Sequence, residues 1–295
     1  MTPADWSREG RDWPNREASV FIEAGGFRFH VQLLGEGPVL LLLHGTGAAT
    51  HSWRDLAPLL ARDFLVVAPD LPGHGFSGPP RSSLTIEIMA AATRALLDRL
   101  GLLPGLIVGH SAGAAIGARM LIEEPGLARG LVSLNGALLP FPGVAAELFP
   151  GLARLLFLNP FTPRLFALQS GFIDPARFLQ RSTGSRIDAR GVRHYARLFG
   201  RPGHVSAALE MMANWDLKAL KRDLPRLACP LLLVAGSNDL AVPAASVHEV
   251  AALVPGATIE ILSGLGHLAH EEAPEQVATL IGRFAESVRA REEEA

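Results

Sequence analysis

The sequence has a single cysteine, no marked excess of charge of either sign and no long hydrophobic run. Cys229 has no second cysteine to pair with, so an intrachain disulfide is excluded, which fits a reducing compartment. The formal net charge of −2 gives no basic footprint for nucleic acid. The most apolar short stretch, PVLLLLH at residues 38–44, is far too short to cross a bilayer. We therefore expect a cytoplasmic protein without a transmembrane segment or a nucleic-acid partner.

Patterns for targeting, metal binding and phosphate binding are also missing. Residues 1–19 are charged and contain no apolar run of the signal-peptide type. No cluster of His, Cys, Asp and Glu has the spacing of metal ligands, and no glycine-rich loop resembles a phosphate cradle. Because 48% of the 295 residues are hydrophobic and 19% are charged, the chain can bury a sizeable core. We expect a globular protein with no metal and no cofactor.

Short apolar runs alternate with helical patterns along most of the chain. Residues 19–37 read as two antiparallel strands joined at Gly25-Gly26, and later runs read as buried strands at 39–43, 64–69, 106–110, 131–136, 230–236 and 257–262. Helical patterns separate them at 51–61, 85–100, 112–123, 243–253 and 274–289. This alternation predicts an α/β class with a mostly parallel, eight-stranded, doubly wound sheet, whose ligand site lies beyond the carboxyl ends of the strands.

The alternation fails once, between the sixth and seventh strands. Residues 137–223 are helical in pattern and apolar, which predicts a helical cap inserted after the sixth strand and lying over the strand ends. The predicted organisation is an N-terminal arm at 1–18, a core at 19–136 and 224–295, and the cap at 137–223. The stretch FPGVAAELFPGLARLLFLNPF, residues 141–161, is either buried in the cap, which we favour, or an apolar face for peripheral membrane contact.

The pentapeptide GHSAG, Gly109–Gly113, stands between a strand and a helical pattern. It is either an ordinary tight turn or a nucleophile elbow, in which a strained serine projects its hydroxyl from the corner. Glycine at 109 and at 113 removes side chains that would collide with the neighbouring strand and helix. The position after a strand and before a helix favours Ser111 as a catalytic nucleophile.

A serine nucleophile needs a base and a group that orients the base. Asp239 follows the strand at 230–236, and His267 follows the strand at 257–262. Each residue by itself is ordinary, since loop aspartates cap helices and loop histidines face solvent. Three such residues at three strand ends, in the chain order serine, acid, histidine, predict a Ser111–Asp239–His267 triad.

Two backbone N–H groups are candidates for an oxyanion hole. Ala112 directly follows the nucleophile at a helix start, and Thr46 follows His44-Gly45 after the strand at 39–43. The alternative for the second group is a glycine-rich turn that makes no contact. Asn135, at the end of its strand, is either a remnant acid position or a plain cap, and we favour the cap.

Apolar side chains near the predicted triad and in the cap are candidates for a substrate pocket. The simplest reading of the cap residues is that they form the cap's own core, and His110 is expected to be packed rather than to act as a base. The pocket candidates are His110, Phe141, Met211, Met212, Trp215, Leu240 and Leu268.

The motifs HGTG, PDLPGHGFS, GHSAG, GSNDLAVP and GLGHLAHEEAP together resemble the α/β-hydrolase superfamily, over about residues 19–289. The resemblance implies a hydrolase fold and a serine-based reaction. Because the nucleophile position is Ser111 and not aspartate, the sequence departs from the dehalogenase and epoxide hydrolase branches. Ester, thioester, amide and carbon–carbon cleavage stay open.

A narrower resemblance involves DWPNREAS, HGTGAATHSWRDL, SLNGALLPFPG, TGSRIDARGV and MMANWDL. These blocks are similar to the magnesium chelatase accessory proteins of bacteriochlorophyll biosynthesis in photosynthetic bacteria. The resemblance implies a role near magnesium insertion into protoporphyrin, with chelatase subunits as partners, and it supplies no reaction. Three hypotheses follow: a serine hydrolase acting on a hydrophobic ester-like substrate such as a tetrapyrrole, a non-catalytic porphyrin-binding or chelatase-assisting protein, and a carbon–carbon bond hydrolase.

Overall fold

The computed structural model describes residues 6–79, 83–140 and 174–293 of the chain. The strands are β1 (Ser19–Ala24), β2 (Phe27–Leu34), β3 (Val39–Leu43), β4 (Leu65–Pro69), β5 (Leu106–His110), β6 (Leu131–Leu134), β7 (Leu231–Gly236) and β8 (Thr258–Leu262). The α-helices are α1 (Trp6–Glu9), α2 (Leu56–Leu60), α3 (Ile86–Leu100), α4 (Ala112–Glu123), α5 (Pro175–Thr183), α6 (Ala189–Phe199), α7 (Pro202–Asn214), α8 (Leu217–Asp223), α9 (Ser246–Leu253), α10 (Ala269–Glu272) and α11 (Pro274–Glu293).

The strands form one eight-stranded sheet in the order β1-β2-β4-β3-β5-β6-β7-β8. The pairs β1–β2 and β2–β4 are antiparallel, and the other five pairs are parallel. The predicted mostly parallel, doubly wound sheet is therefore confirmed. Strand β5, which leads directly to Ser111, lies near the middle of the sheet, where its carboxyl end is flanked by the ends of β3 and β6.

The central strands are apolar throughout because both of their faces are covered. In β3, Leu41 and Leu43 belong to a core cluster that includes residues of α3 and α4. Leu40 and Leu42 belong to a second cluster, which includes residues of α2 and α11. Alternate side chains point to opposite faces of a strand, so an uninterrupted apolar run is what a strand between two helical layers requires.

The predicted helix at 51–61 forms only in its second half. A 3₁₀ helix at Thr50–Trp53 and the short helix α2 take its place. All four residues of the 3₁₀ turn are buried, and the backbone N–H of Thr50 donates to the carboxylate of buried Asp70 at 2.6 Å. Tertiary contacts thus override the helical pattern at this point. The four-residue helices α1 and α10 were not predicted, because so few residues carry no readable periodicity.

Helices α5 to α8 follow one another between β6 and β7, within the range of the predicted cap. Aspartates start three of them: Asp174, Asp188 and Asp216 each accept backbone N–H groups of the first turn of α5, α6 and α8. Phe141 and the apolar stretch 141–161 lie outside the described residues. The division into arm, core and cap stays a prediction.

The chain before β1 lies against both the core and helix α6. The indole N–H of Trp13 donates to the hydroxyl of Thr50 at 2.9 Å. The guanidinium of Arg197, on α6, donates to both carboxylate oxygens of Asp12, at 2.8 and 2.6 Å. That hydrogen bond from Arg197 lowers the pKa of Asp12 to about 2. The arm therefore joins helix α6 to the core loop after β3.

A buried polar network also connects α6 to the core. The carboxylate of Glu271, on α10, accepts hydrogen bonds from Ser52 Oγ and from the hydroxyl of Tyr195, each at 2.7 Å. The guanidinium of Arg54 pairs with the second oxygen of the same carboxylate. Because each of these groups is buried, loss of one partner would leave another polar atom without a hydrogen bond and out of reach of water.

In the described ranges, no helix is long and apolar enough to span a membrane.

Candidate active site

The backbone at Ser111 has the strained geometry of a sharp strand-to-helix corner. Ser111 directly follows β5 and immediately precedes α4, with φ of 50° and ψ of −114°. Its N–H donates to the carbonyl of Leu134 at 2.9 Å, and its carbonyl accepts from Ala114 and Ala137 at 3.1 and 3.0 Å. A non-glycine residue with positive φ is uncommon, and such strain persists only where surrounding bonds enforce it.

The two glycines of the pentapeptide are required by close backbone approaches. A Cβ atom at Gly113 would lie 1.9 Å from the carbonyl oxygen of Leu43, and one at Gly109 would lie 2.3 Å from the backbone nitrogen of Ala114. Both neighbours are main-chain atoms that cannot rotate away. This finding supplies the steric reason for glycine that the sequence pattern predicts.

We expect Gly113→Ala to destabilise the fold by about 3 kcal/mol or more, because its methyl group would overlap the backbone of β3. Gly282→Ala is the matched control: Gly282 lies within α11, and a Cβ there meets nothing within 4 Å. The control is expected to gain about 0.5–1 kcal/mol from its helix propensity. Urea unfolding of both variants measures the difference, and equal stabilities would contradict the close approach.

Asp239 and His267 are hydrogen-bonded to each other. The Nδ1–H of His267 donates to Oδ2 of Asp239 at 2.8 Å. The other oxygen, Oδ1, accepts the backbone N–H groups of Ala241 and Val242 at 2.7 and 2.8 Å. Since Nδ1 carries the proton toward the carboxylate, Nε2 of the neutral ring holds the free lone pair. The hydrogen bond to Asp239 therefore fixes the orientation of the imidazole ring.

Asn135, which the sequence analysis treats as a remnant acid position or a plain cap, contacts the acid of this pair. Its side-chain amide donates to Oδ2 of Asp239 at 2.8 Å, the same oxygen that His267 contacts. Asn135 has a φ of 48°, and its N–H bonds the carbonyl of Val234. The plain cap favoured for Asn135 is therefore wrong, because its side chain holds the carboxylate. Its position at the carboxyl end of β6, the edge shared with the predicted triad, was the available signal.

Two unused backbone donors flank Ser111. The N–H groups of Thr46 and Ala112 have no acceptor within the described part of the chain. The loop carrying Thr46 passes close to the serine, since a Cβ at Gly45 would lie 3.0 Å from Cβ of Ser111. Ala112 is the first residue of α4, where the positive end of the helix dipole adds to the N–H group. Free N–H groups at such a position suit an anionic oxygen.

His110 is packed behind the imidazole of His267. Its Nε2–H donates to the backbone carbonyl of His267 at 2.9 Å, and its ring lies 4.8 Å from that of His267 and 4.4 Å from that of His270. Burial, with the two neighbouring histidines, holds the pKa of His110 well below its usual value. His110 is therefore neutral and serves as packing, as the sequence analysis expects.

The other pocket candidates occupy different environments. Met211 is fully buried, and its sulfur accepts the hydroxyl of Thr46 at 3.6 Å. Trp215 is half-buried against the core, and Met212 is half-buried. Leu268 is buried in a cluster with Leu179 of α5 and Tyr195 of α6. Leu240, by contrast, is 66% exposed. None of these positions by itself assigns a contact with substrate.

A family model described as the alpha/beta hydrolase fold matches residues 38–274. The chain belongs to the α/β-hydrolase family. This result confirms the α/β-hydrolase resemblance and the fold class expected from the motifs.

Among relatives of this chain, the "Magnesium-chelatase 30 kDa subunit" of Rhodobacter capsulatus is 40% identical over 92% of this chain and 95% of its own. The "Pimeloyl-[acyl-carrier protein] methyl ester esterase" of Xanthomonas oryzae pv. oryzae is 31% identical over 88% of this chain and 99% of its own. A thermophilic esterase from Thermogutta terrifontis has a TM-score of 0.73 at 23% identity, over 92% and 98% of the two chains. The first similarity confirms the narrower resemblance, and the third shows the fold alone.

Proposed function

We propose that this α/β hydrolase cleaves a hydrophobic ester-like substrate through a Ser111–Asp239–His267 triad. The observation that carries the proposal is the hydrogen bond of 2.8 Å between His267 and Asp239. These residues lie on the loops that follow β8 and β7, at the same edge of the sheet as the strained Ser111. Strain at a serine, an oriented imidazole and free N–H donors are the parts that acyl transfer requires.

The reaction proceeds in two halves. Nε2 of His267 takes the proton from Ser111 Oγ as that oxygen attacks the substrate carbonyl, and Asp239 stays ionised and stabilises the imidazolium. The N–H groups of Thr46 and Ala112 bind the oxyanion. Collapse of the tetrahedral intermediate breaks the ester bond, and the alcohol leaves with the proton from His267. Water then attacks the acyl-serine by the same route and releases the acid.

The substrate class follows from the apolar surroundings of the site. Thr46 contacts the fully buried Met211 on α7. Met212 lies on the same helix and Trp215 directly follows it, and both are half-buried. Side chains of this kind favour a hydrophobic acyl or alcohol group over a charged one. An esterified tetrapyrrole satisfies this requirement, as does a lipid-like ester.

Turnover of 4-nitrophenyl esters of increasing acyl length tests the proposal. The wild-type protein is expected to hydrolyse them with a preference for longer chains, and Ser111→Ala is expected to fall to the uncatalysed rate. Ser182→Ala is the control, because Ser182 is exposed on α5 and bonds only carbonyls of its own helix. Equal rates for wild type and Ser111→Ala would remove Ser111 as the nucleophile.

A second role is favoured by the 40% identity to the Rhodobacter capsulatus subunit. We propose that this chain assists magnesium insertion in bacteriochlorophyll biosynthesis, with chelatase subunits as partners and a porphyrin as the bound molecule. Such a role does not require catalysis, because binding a macrocycle breaks no bond.

Complementation of a deletion strain separates the two roles. If catalysis is required, Ser111→Ala folds normally and fails to restore pigment, whereas Ser182→Ala restores it. Restored pigment with Ser111→Ala would mean that binding or assistance is sufficient. Failure of the wild-type gene to restore pigment would contradict the pathway role altogether.

A further inference from the structure

The segment Thr183–Arg186 begins with the last residue of α5 and lies between the loop of the acid and the loop of the histidine. We name it the cap-base turn. A Cβ at Gly184 would lie 2.0 Å from the carbonyl oxygen of Asn238, which precedes Asp239. A Cβ at Gly266, which precedes His267, would lie 2.5 Å from the backbone nitrogen of Ser185. The cap-base turn thus touches both loops through main-chain atoms.

Hydrogen bonds fix the histidine loop to this turn. The carbonyl of Thr183 accepts the backbone N–H of His267 at 2.8 Å. The hydroxyl of Ser185, which is 2% exposed, accepts the N–H of Leu268 at 2.8 Å. Two consecutive backbone N–H groups, beginning at His267 itself, therefore depend on acceptors that belong to the helical segment between β6 and β7.

Further bonds tie the turn to both loops. The carbonyl of Thr183 also accepts the N–H of Leu240, the residue after the acid, at 3.4 Å. Glu272, on α10, accepts the N–H of Arg186 at one carboxylate oxygen and the N–H of Gly266 at the other, each at 2.8 Å. A shift of the turn would consequently change the spacing between the two loops.

We infer that the cap-base turn is a positioning element for His267, so that the placement of the helical segment over the site controls the alignment of the imidazole with Asp239. Ser185 and Glu272 are positioning residues, since they act through backbone N–H groups of the histidine loop. The inference rests on the proposed function for its catalytic readout. The coupling of the helical segment to the Asp239–His267 hydrogen bond can be measured without any turnover.

Ser185→Ala removes the acceptor of the Leu268 N–H and is expected to lower kcat by about 10- to 100-fold, because small displacements of a catalytic group are costly. KM is expected to change little, since Ser185 is buried behind the histidine loop. Glu272→Gln, which replaces one acceptor oxygen by a donor, is expected to show the same signature. Ser182→Ala, three residues earlier on α5, is the matched control and is expected to behave as wild type.

A second measurement does not need turnover. The downfield NMR signal of the His267 Nδ1–H proton, assigned by its loss in His267→Asn, is expected to shift or broaden in Ser185→Ala and in Glu272→Gln, and not in Ser182→Ala. If wild type hydrolyses no ester, the proposed function fails, and this signal still decides the coupling. An unchanged signal with unchanged kcat in both variants, or an equal change in Ser182→Ala, would overturn the inference.

Discussion

Replacing His267 with alanine is expected to lower kcat by roughly 10⁴- to 10⁶-fold, about as much as the loss of Ser111. In the proposed reaction, the imidazole takes the serine proton and returns it to the leaving alcohol. Without it, the serine hydroxyl is a poor nucleophile at neutral pH, and the Asp239 carboxylate has no ring to orient. Steady-state hydrolysis of the best 4-nitrophenyl ester measures the loss.

His248→Ala is the control for this variant. His248 lies on the exposed side of α9, and its replacement removes a histidine without touching the site. The double variant Ser111→Ala/His267→Ala is expected to be no slower than either single variant, because the two groups act as one unit. A His267→Ala enzyme within tenfold of wild type would contradict the assigned base.

Lowering the pH from 7 to 5 is expected to remove a large share of the folding free energy. Burial holds the pKa of several histidines below the usual 6.5: His194 and His204 at about 4, and His270 at about 3. Burial also lowers the pKa of a further set, His44, His51, His74 and His110. These rings stay neutral in the folded chain, whereas the unfolded chain binds protons as the pH falls below 6.5. Stability is therefore complete above that pH and is lost as the pH falls toward the folded-state values.

The size of the effect follows from linkage. Each histidine that stays neutral in the folded chain at pH 5 costs about 2 kcal/mol between pH 7 and pH 5. Three such residues remove about 6 kcal/mol, against a typical total of roughly 5–15 kcal/mol. Urea unfolding at pH 7, 6 and 5 measures the loss. A free energy of unfolding that is flat across this range would contradict the neutral buried rings.

A substitution at His51 measures how much a single histidine ring contributes to the pH dependence of stability. His51 is fully buried, its two ring nitrogens have no partner in the described ranges, and its ring lies 4.5 Å from that of Tyr195. His51→Phe costs no hydrogen bond and is expected to reduce the pH dependence of stability by about 1 kcal/mol per pH unit between pH 6 and 5. His248→Phe, at an exposed site, is expected to leave that dependence unchanged.

Features that depend on strand ends could be predicted from the sequence. Apolar runs of five to seven residues located the parallel strands, and parallel strands bring their carboxyl ends to one edge. That rule is enough to place Asp239 and His267 on neighbouring loops and to predict a turn rich in small residues at Ser111. The strain at Ser111 was also predictable, because glycine on both sides is what a close strand and helix demand.

Features that depend on contacts between distant segments could not be predicted. The strand-end position of Asn135 places it near the predicted triad, but it does not show that the side chain bonds Asp239, which is 104 positions away. The acceptors for the His267 loop lie in Thr183–Arg186, within a helical segment whose packing has no periodic signature. The buried turn at Thr50–Trp53 was misjudged for the same reason, since a buried carboxylate and the N-terminal arm determine its conformation.

The site of covalent modification by a fluorophosphonate tests the central claim most directly. The folded protein is treated with the reagent and digested, and the peptide spanning residues 106–120 is analysed by mass spectrometry. This peptide is expected to carry one phosphonyl group on Ser111. Ser111→Ala is expected to stay unmodified, and Ser182→Ala is expected to be labelled like wild type. A wild-type protein that stays unmodified at saturating reagent, or a Ser111→Ala variant that is labelled to the same extent, would contradict an active serine at the corner between β5 and α4.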